Sequence, residues 1–280
     1  MASLIDPRAR IGAVHLTISD LDASIRFYEA HLGFSLHRRE SGTAWLGTGG
    51  ADLLVLSACE RAPRVRGTTG LYHFAILVPT RTDLARALIR LAETETVMQG
   101  AADHGVSEAL YLSDVDGNGI EIYRDRPREE WPIVNGQLRM GADPIDFDDL
   151  ASAAPRSGGG LARDTVIGHV HLDVSRLDEA ERFYVGVLGF ELMQRYGPSA
   201  LFVSAGGYHH HIGLNTWAGV GAPPAPPGAI GLRHFDIVLS DEAARSSVEE
   251  RLRAANVPIE KSEGGLLVRD PANNAILLKH

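Results

Sequence analysis

The chain has 280 residues, 44% of them hydrophobic and 22% charged, the balance of an ordinary soluble protein with room for one large or two ordinary domains. A net charge of −9 argues against nucleic acid or an anionic membrane surface as a partner, because both reward basic patches. One cysteine, Cys59, excludes an internal disulfide framework and fits a reducing cytoplasm, and no run approaches the roughly 18 apolar residues of a membrane helix.

The N-terminus lacks the basic-then-apolar pattern of a signal peptide, so none is expected. From residue 11 the chain begins a pattern that it later repeats. IGAVHLTISDLDASIRFYEAHLGFSL (11–36) aligns without gaps on IGHVHLDVSRLDEAERFYVGVLGFEL (167–192), with 15 of 26 positions identical. Each copy reads as a strand of period two, then a helix capped by Ser19 or Asp20 in the first copy and Ser175 in the second, closed at Gly33 or Gly189. Two strands follow each copy, at 43–47 and 52–57, and at 199–205 and 209–215.

A weaker echo comes next: GLYHFAILV (70–78) matches GLRHFDIVL (231–239), and each leads into an amphipathic helix, over 82–92 and 241–254. Two more strands follow each helix, the last at 118–123 and 274–279. The chain is thus four βαβββ modules. We expect an N-terminal domain over 9–125, a linker over 126–165 with a short helix near 146–151, and a C-terminal domain over 166–280. A Pro-rich spacer, 218–229, separates the third and fourth modules.

Four such modules, with HL-(T/D)-(I/V)-S-x-LD, RFY, LGF and D-x-D-G-N-x-I-E, resemble the vicinal oxygen chelate superfamily of glyoxalase I, bleomycin-resistance proteins and extradiol dioxygenases. HGVSEALYLSDVDGNGIEIYRDRP and FVSAGGYHHHIGLNTWAG look like the two-domain catechol-2,3-dioxygenase-type subgroup. The resemblance implies an α+β fold in which paired modules form a cupped sheet, with metal ligands on first and last module strands. Fold alone does not give the reaction.

Strand parity then picks out residues. Val14, Leu16 and Ile18 share the face expected to pack under helices, which leaves His15 on the concave side. Phe74, Ile76 and Val78 leave His73 there, and Ile120 and Ile122 leave Glu121. Two imidazoles and a carboxylate on three strands make a facial triad, the donor set of non-haem Fe(II) oxygenases. The plain alternative is that both histidines are bonded to backbone and Glu121 is paired with an arginine. The ligand order resembles that of extradiol dioxygenases, while glyoxalase I-like enzymes also draw a ligand from the last strand of the first module. Here that strand, Asp52-Leu-Leu-Val-Leu, offers only Leu or Val at its inward positions.

In the C-terminal half, His171 answers His15 and His234 answers His73, but Leu277 stands where Glu121 would be. A second site built from His171, His209 or His211, and His234 is geometrically open, as is a metal-free polar pocket. Pairing of modules is open too: if the second module packs on the third, His171 would replace His15 beside His73 and Glu121. His104 is a candidate base for a catechol hydroxyl, and Tyr123, on Glu121's face, a candidate partner for a bound oxygen; the alternatives are a solvated loop and a cavity wall. Tyr111 and Trp131 read as packing, and Cys59 has no base in view to make it a nucleophile.

The reading is an extradiol ring-cleaving dioxygenase using Fe(II), with Mn(II), Ni(II) or Zn(II) as alternatives, and acting on a small aromatic diol and O2. A homo-oligomer is compatible with it. The competing readings are a glyoxalase-type metal-dependent isomerase or lyase, and a metal-free small-molecule-binding protein of the bleomycin-resistance kind.

Overall fold

The computed structural model describes residues 4–154 and 159–280, so the N-terminal three residues and residues 155–158, which run into the glycine-rich end of the linker, lie outside the described residues. The first module holds β1 (Arg10–Ile18), α1 (Leu21–Phe27), β2 (Ser35–Glu40), β3 (Thr43–Gly47) and β4 (Asp52–Ala58). The second holds β5 (Gly70–Leu77), α2 (Arg81–Glu93), β6 (Met98–Asp103), β7 (Ser107–Ser113) and β8 (Gly119–Asp125). The segment expected to link the halves carries a small hairpin, β9 (Ile133–Val134) with β10 (Gln137–Leu138), and α3 (Phe147–Ser152). The third module has β11 (Val166–Asp173), α4 (Leu177–Glu181), β12 (Glu191–Tyr196), β13 (Ala200–Ser204) and β14 (Ile212–Asn215). The fourth has β15 (Gly231–Val238), α5 (Glu242–Ala254), β16 (Glu260–Ser262), β17 (Gly265–Arg269) and β18 (Ala275–Lys279). None of the described helices is long and apolar enough to cross a membrane.

The chain gathers into two compact units. The first comprises the chain up to His15, Pro63–Tyr72 and Gly168–His280; the second comprises Leu16–Ala62 and His73–Ile167. In the first, the strand orders are β16-β17-β18-β15-β1 and β12-β13-β14-β11-β5; in the second they are β1-β4-β3-β2 and β5-β8-β7-β6. Because β1 and β5 belong to both orders, the described residues form two eight-stranded sheets, one from the first and fourth modules and one from the second and third. The pairing that the repeat left open is therefore crosswise. Within each module the last strand runs parallel to the first, as Phe74↔Ile120 and Phe235↔Ile276 show, so module ends meet at the sheet centre.

The expected faces are the observed ones. Val14, Leu16, Ile18, Phe74, Ile76, Ile120 and Ile122 are all buried, packed by a period-two pattern whose apolar side has no access to water. Asp20 caps α1 by accepting from Ala23 N, and Thr80 and Asp241 do the same for α2 and α5. Ser175 does not cap α4: its hydroxyl donates to the Ala222 carbonyl, and Arg176 holds the cap position without a side-chain bond. Both α1 and α4 widen into π-helical turns, Tyr28–Leu32 and Arg182–Val187, before the left-handed Gly33 and Gly189.

Those wide turns carry Tyr28 and Tyr184, each fully buried. The Tyr28 hydroxyl donates to Asp114 at 2.8 Å, and the Tyr184 hydroxyl to Asp270 at 3.0 Å. Asp114 also accepts from the Asp116 and Asn118 backbone N–H groups and from the Asn118 amide; Asp270 accepts in the same way from Ala272 and Asn274. The D-x-D-G-N turn is thus a structural clasp. Burial raises both carboxyls above their ordinary range, and the donated hydrogen bonds offset part of that cost.

On the helix side of β7, Glu108 is clamped by Arg81 at 2.9 Å and by Arg124 at 2.6 Å. Burial raises the Glu108 carboxyl, but the bonds from Arg81 and Arg124 outweigh it and hold the group below its usual range. A carboxyl lowered in the folded state stabilises the fold above its unfolded pKa, and that contribution fades as pH falls through the folded one. Urea midpoints should therefore decline below about pH 4.3, the unperturbed glutamate value, and Glu108→Gln should be less stable at neutral pH with a shallower decline. Identical pH slopes for the two proteins would contradict this.

Candidate metal centre

The face of β5, β7 and β8 that carries His73 and Glu121 is otherwise nearly apolar. Ala75, Ala109 and the fully buried Tyr123 form a cluster on it, with Leu77 and Tyr111 packed against them. Glu121 is directly across from Ala75 on one side and Tyr111 on the other. His73 Nε2 stands 3.0 Å from a Glu121 carboxylate oxygen, with both side chains buried. A carboxylate in such a setting is costly unless it is bonded to a donor or a cation.

His15, on the sheet of the first and fourth modules, is beside His234 and Asp236. On β11, two positions before His171 and so on the same face, stands the buried His169, whose repeat counterpart in β1 is Ala13.

The other candidates sit as follows. His171 is enclosed by aromatic rings, 5.2 Å from Tyr72, 5.7 Å from Phe202 and 5.1 Å from Trp217. Gly213 permits this, since a Cβ there would come within 2.8 Å of the imidazole. His209 and His211 precede β14 in a loop rather than extending the strand, because β14 begins at Ile212. His211 Nδ1 accepts from the Ala205 backbone N–H, and His209 pairs ring to ring with His210 at 2.8 Å between their Nδ1 atoms. The set of His171, His209 or His211, and His234 is thus not a group in the structure: His234 is on β15, in the other sheet.

His104 is held rather than solvated. Its Nδ1 lies 2.6 Å from the Gly141 carbonyl and its Nε2 2.6 Å from the Tyr111 hydroxyl. A carbonyl only accepts, so Nδ1 carries the hydrogen and Nε2 of the neutral ring accepts from Tyr111. Tyr111 in turn places its ring 5.8 Å from that of His73. Tyr111 reads from sequence as packing, but structurally it connects His104 to the buried pair. The signal was available in parity, since Ala109 and Tyr111 share the face that opposes Glu121.

The second group, His15, His234 and Asp236, joins β1 to β15. The imidazoles of His15 and His234 are stacked 3.9 Å apart, with Asp236 Oδ1 3.6 Å from His15 Nε2 and 3.9 Å from His234 Nε2. Burial pushes the His234 pKa down to about 3, with the neighbouring His15 acting in the same direction. Asp236 is lowered: burial raises it, but His15 and Lys279 prevail, Lys279 donating to Oδ2 at 2.7 Å.

Comparisons with known proteins agree with this architecture. The family model described as "Glyoxalase/Bleomycin resistance protein/Dioxygenase superfamily" matches residues 10–122 and 166–277. A curated catechol-2,3-dioxygenase of Bacillus subtilis (strain 168) is 45% identical over 275 residues, 95% of each chain. Biphenyl-2,3-diol 1,2-dioxygenase 3 of Rhodococcus globerulus is 32% identical over 105 residues, which is 36% of this chain and 53% of that relative. Among solved structures, a putative dioxygenase from Bacillus subtilis superposes with a TM-score of 0.69 at 13% identity, covering 99% of this chain and 86% of the other. Glyoxalase I from Zea mays superposes with a TM-score of 0.61 at 17% identity, covering 96% and 92%. At such identities these structural likenesses show the fold alone. On the family match and the full-length relative together, the chain belongs to the glyoxalase/bleomycin resistance protein/dioxygenase superfamily.

Proposed function

We propose that this protein is a metal-dependent extradiol ring-cleaving dioxygenase acting on a catechol-like aromatic diol. The observation that carries the reading is the buried pair of His73 and Glu121, 3.0 Å apart on one apolar face. Its donor chemistry fits Fe(II): imidazole and carboxylate are the donor types of the set that leaves positions open on a non-haem iron. The 45% identity to a full-length catechol-2,3-dioxygenase supports the same reading. His73 and Glu121 would hold the ion, which when bound would supply Lewis-acid and electron-transfer chemistry to the diol and O2.

The chain's own residues account for the proton and for the dryness of the site. A diol proton passes to the Tyr111 oxygen as Tyr111 gives its own proton to His104 Nε2, 2.6 Å away. The imidazolium so formed keeps its Nδ1–H on the Gly141 carbonyl, which fixes the ring. Ala75 and Ala109 leave room for a flat ring over the strands, and Tyr123 and Leu77 close the face with apolar surface. With water excluded, charge–charge interactions around the buried carboxylate are stronger than in solution.

Protein purified without oxygen should carry iron and take up O2 when given a catechol, and Glu121→Ala should abolish both. Iron content unchanged in Glu121→Ala would place the metal elsewhere. An iron-loaded protein that consumes no O2 across a panel of catechols would refute the dioxygenase reading, and turnover of a 2-oxoaldehyde–thiol adduct without O2 would favour the isomerase alternative.

Tyr111→Phe breaks the link to His104 while leaving the ring in place. The expected result is a 10²- to 10⁴-fold fall in kcat, the range for a lost general base, with KM and iron content near the parent's. A parent-like kcat in Tyr111→Phe would overturn the relay.

A further inference from the structure

The two sheets treat one register pair in opposite ways. In the sheet of the second and third modules, Ala75 of β5 faces Glu121 of β8. In the sheet of the first and fourth, the corresponding pair is Asp236 of β15 and Leu277 of β18. The carboxylate has not vanished from the second sheet; it has moved across the pair to the neighbouring strand. It also arrives beside two imidazoles, His234 two residues earlier on the same strand and face, and His15 of the adjacent β1. We propose that His15, His234 and Asp236 form a second cation site, separate from that of His73 and Glu121, which takes a divalent first-row transition ion through two ring nitrogens and one carboxylate oxygen.

Four observations support it. First, Asp236 is only 3% exposed, and its Oδ1, like His15 Nε2, is buried without a hydrogen-bond partner. A buried carboxylate oxygen left in that state is costly, and a shared cation would satisfy both atoms. Second, Lys279 takes the other oxygen, Oδ2, at 2.7 Å and so turns Oδ1 towards the rings, as the outer partner of a ligating carboxylate does. Third, a simple ion pair accounts for too little: Asp236 already has Lys279 as its cation, and the stacked rings, 3.9 Å apart, bring two further nitrogens to the same carboxylate oxygen. Fourth, the approach of β1 to β15 is built in: a Cβ on Gly12 would fall 2.8 Å from Asp236 Cβ and 2.9 Å from Val238 Cγ2.

Ligands about 2.1 Å from a shared ion lie roughly 3.0–3.5 Å apart. The oxygen–nitrogen separations of 3.6 Å and 3.9 Å therefore need to close by about half an ångström, and the stacked rings to splay, on binding. Both histidines are about one-fifth exposed, so an ion has a way in. The donor set suits Co(II), Ni(II) or Zn(II) as well as Fe(II), since imidazole serves all of them.

The test uses the full chain stripped of metal and titrated with Co(II) under nitrogen, read by equilibrium dialysis and by the visible ligand-field bands. Wild type should bind two Co(II) per chain, Glu121→Ala one, and Glu121→Ala combined with Asp236→Asn none; Asp236→Asn alone should bind one and keep catechol-dependent O2 uptake. His234→Gln in the Glu121→Ala background gives an independent route to the same loss, should Asp236→Asn fail to fold by circular dichroism. Equal Co(II) binding by Glu121→Ala and by its Asp236→Asn or His234→Gln derivative overturns the second site. So does a wild type that binds one ion and a Glu121→Ala variant that binds none. A wild type and Glu121→Ala that bind equally would instead count against the main centre, so the two failures are distinguishable.

Discussion

Glu121 can function only if β8 enters the sheet in one register, and that register is set by the carboxylate of Asp114. Asp114 ends one strand and begins the next, accepting two backbone N–H groups, the Asn118 amide and the Tyr28 hydroxyl. A slip of one residue in β8 would turn Glu121 towards the helices and bring Ile120 or Ile122 to the concave face. The buried tyrosine on the wide turn after α1 thus ties the helix layer to the position of a carboxylate on the opposite face. Ser19 adds a second tie, its backbone N–H and hydroxyl both donating to Asp116. The same clasp recurs as Tyr184 on Asp270, where no glutamate follows, so it serves the fold first and the metal centre second.

Much of this was legible in the sequence. Alternation placed His73 and Glu121 on one face because apolar residues at every second position leave no other choice, and Asp20, Gly33 and Gly189 marked helix ends by their local chemistry. The D-x-D-G-N turn was visible as a turn, though its role as hydrogen-bond acceptor for a tyrosine 86 residues away was not. What periodicity cannot carry is which strand lies beside β1, since the edges of first strands are alike in a repeat. It is β15, which makes His15 a neighbour of His234.

The misses have a common cause. Aligning repeats rewards positions that match, whereas several residues proposed as ligands are where the copies differ: Asp236 against Ala75, Glu121 against Leu277. The histidine run 209–211 misled for another reason. Its composition suggested an edge strand, but one imidazole caps a backbone N–H and another pairs with its neighbour, local bonds that compete with a strand ladder.

The proposed catalysis depends on one ion being held by His73 and Glu121. Diffraction at the iron absorption edge, from crystals of anaerobically iron-loaded protein, tests that most directly. The account predicts an anomalous peak about 2.0–2.2 Å from a ring nitrogen of His73 and a carboxylate oxygen of Glu121. A fully loaded protein with no peak there, or with a peak that touches His73 but not Glu121, would contradict it.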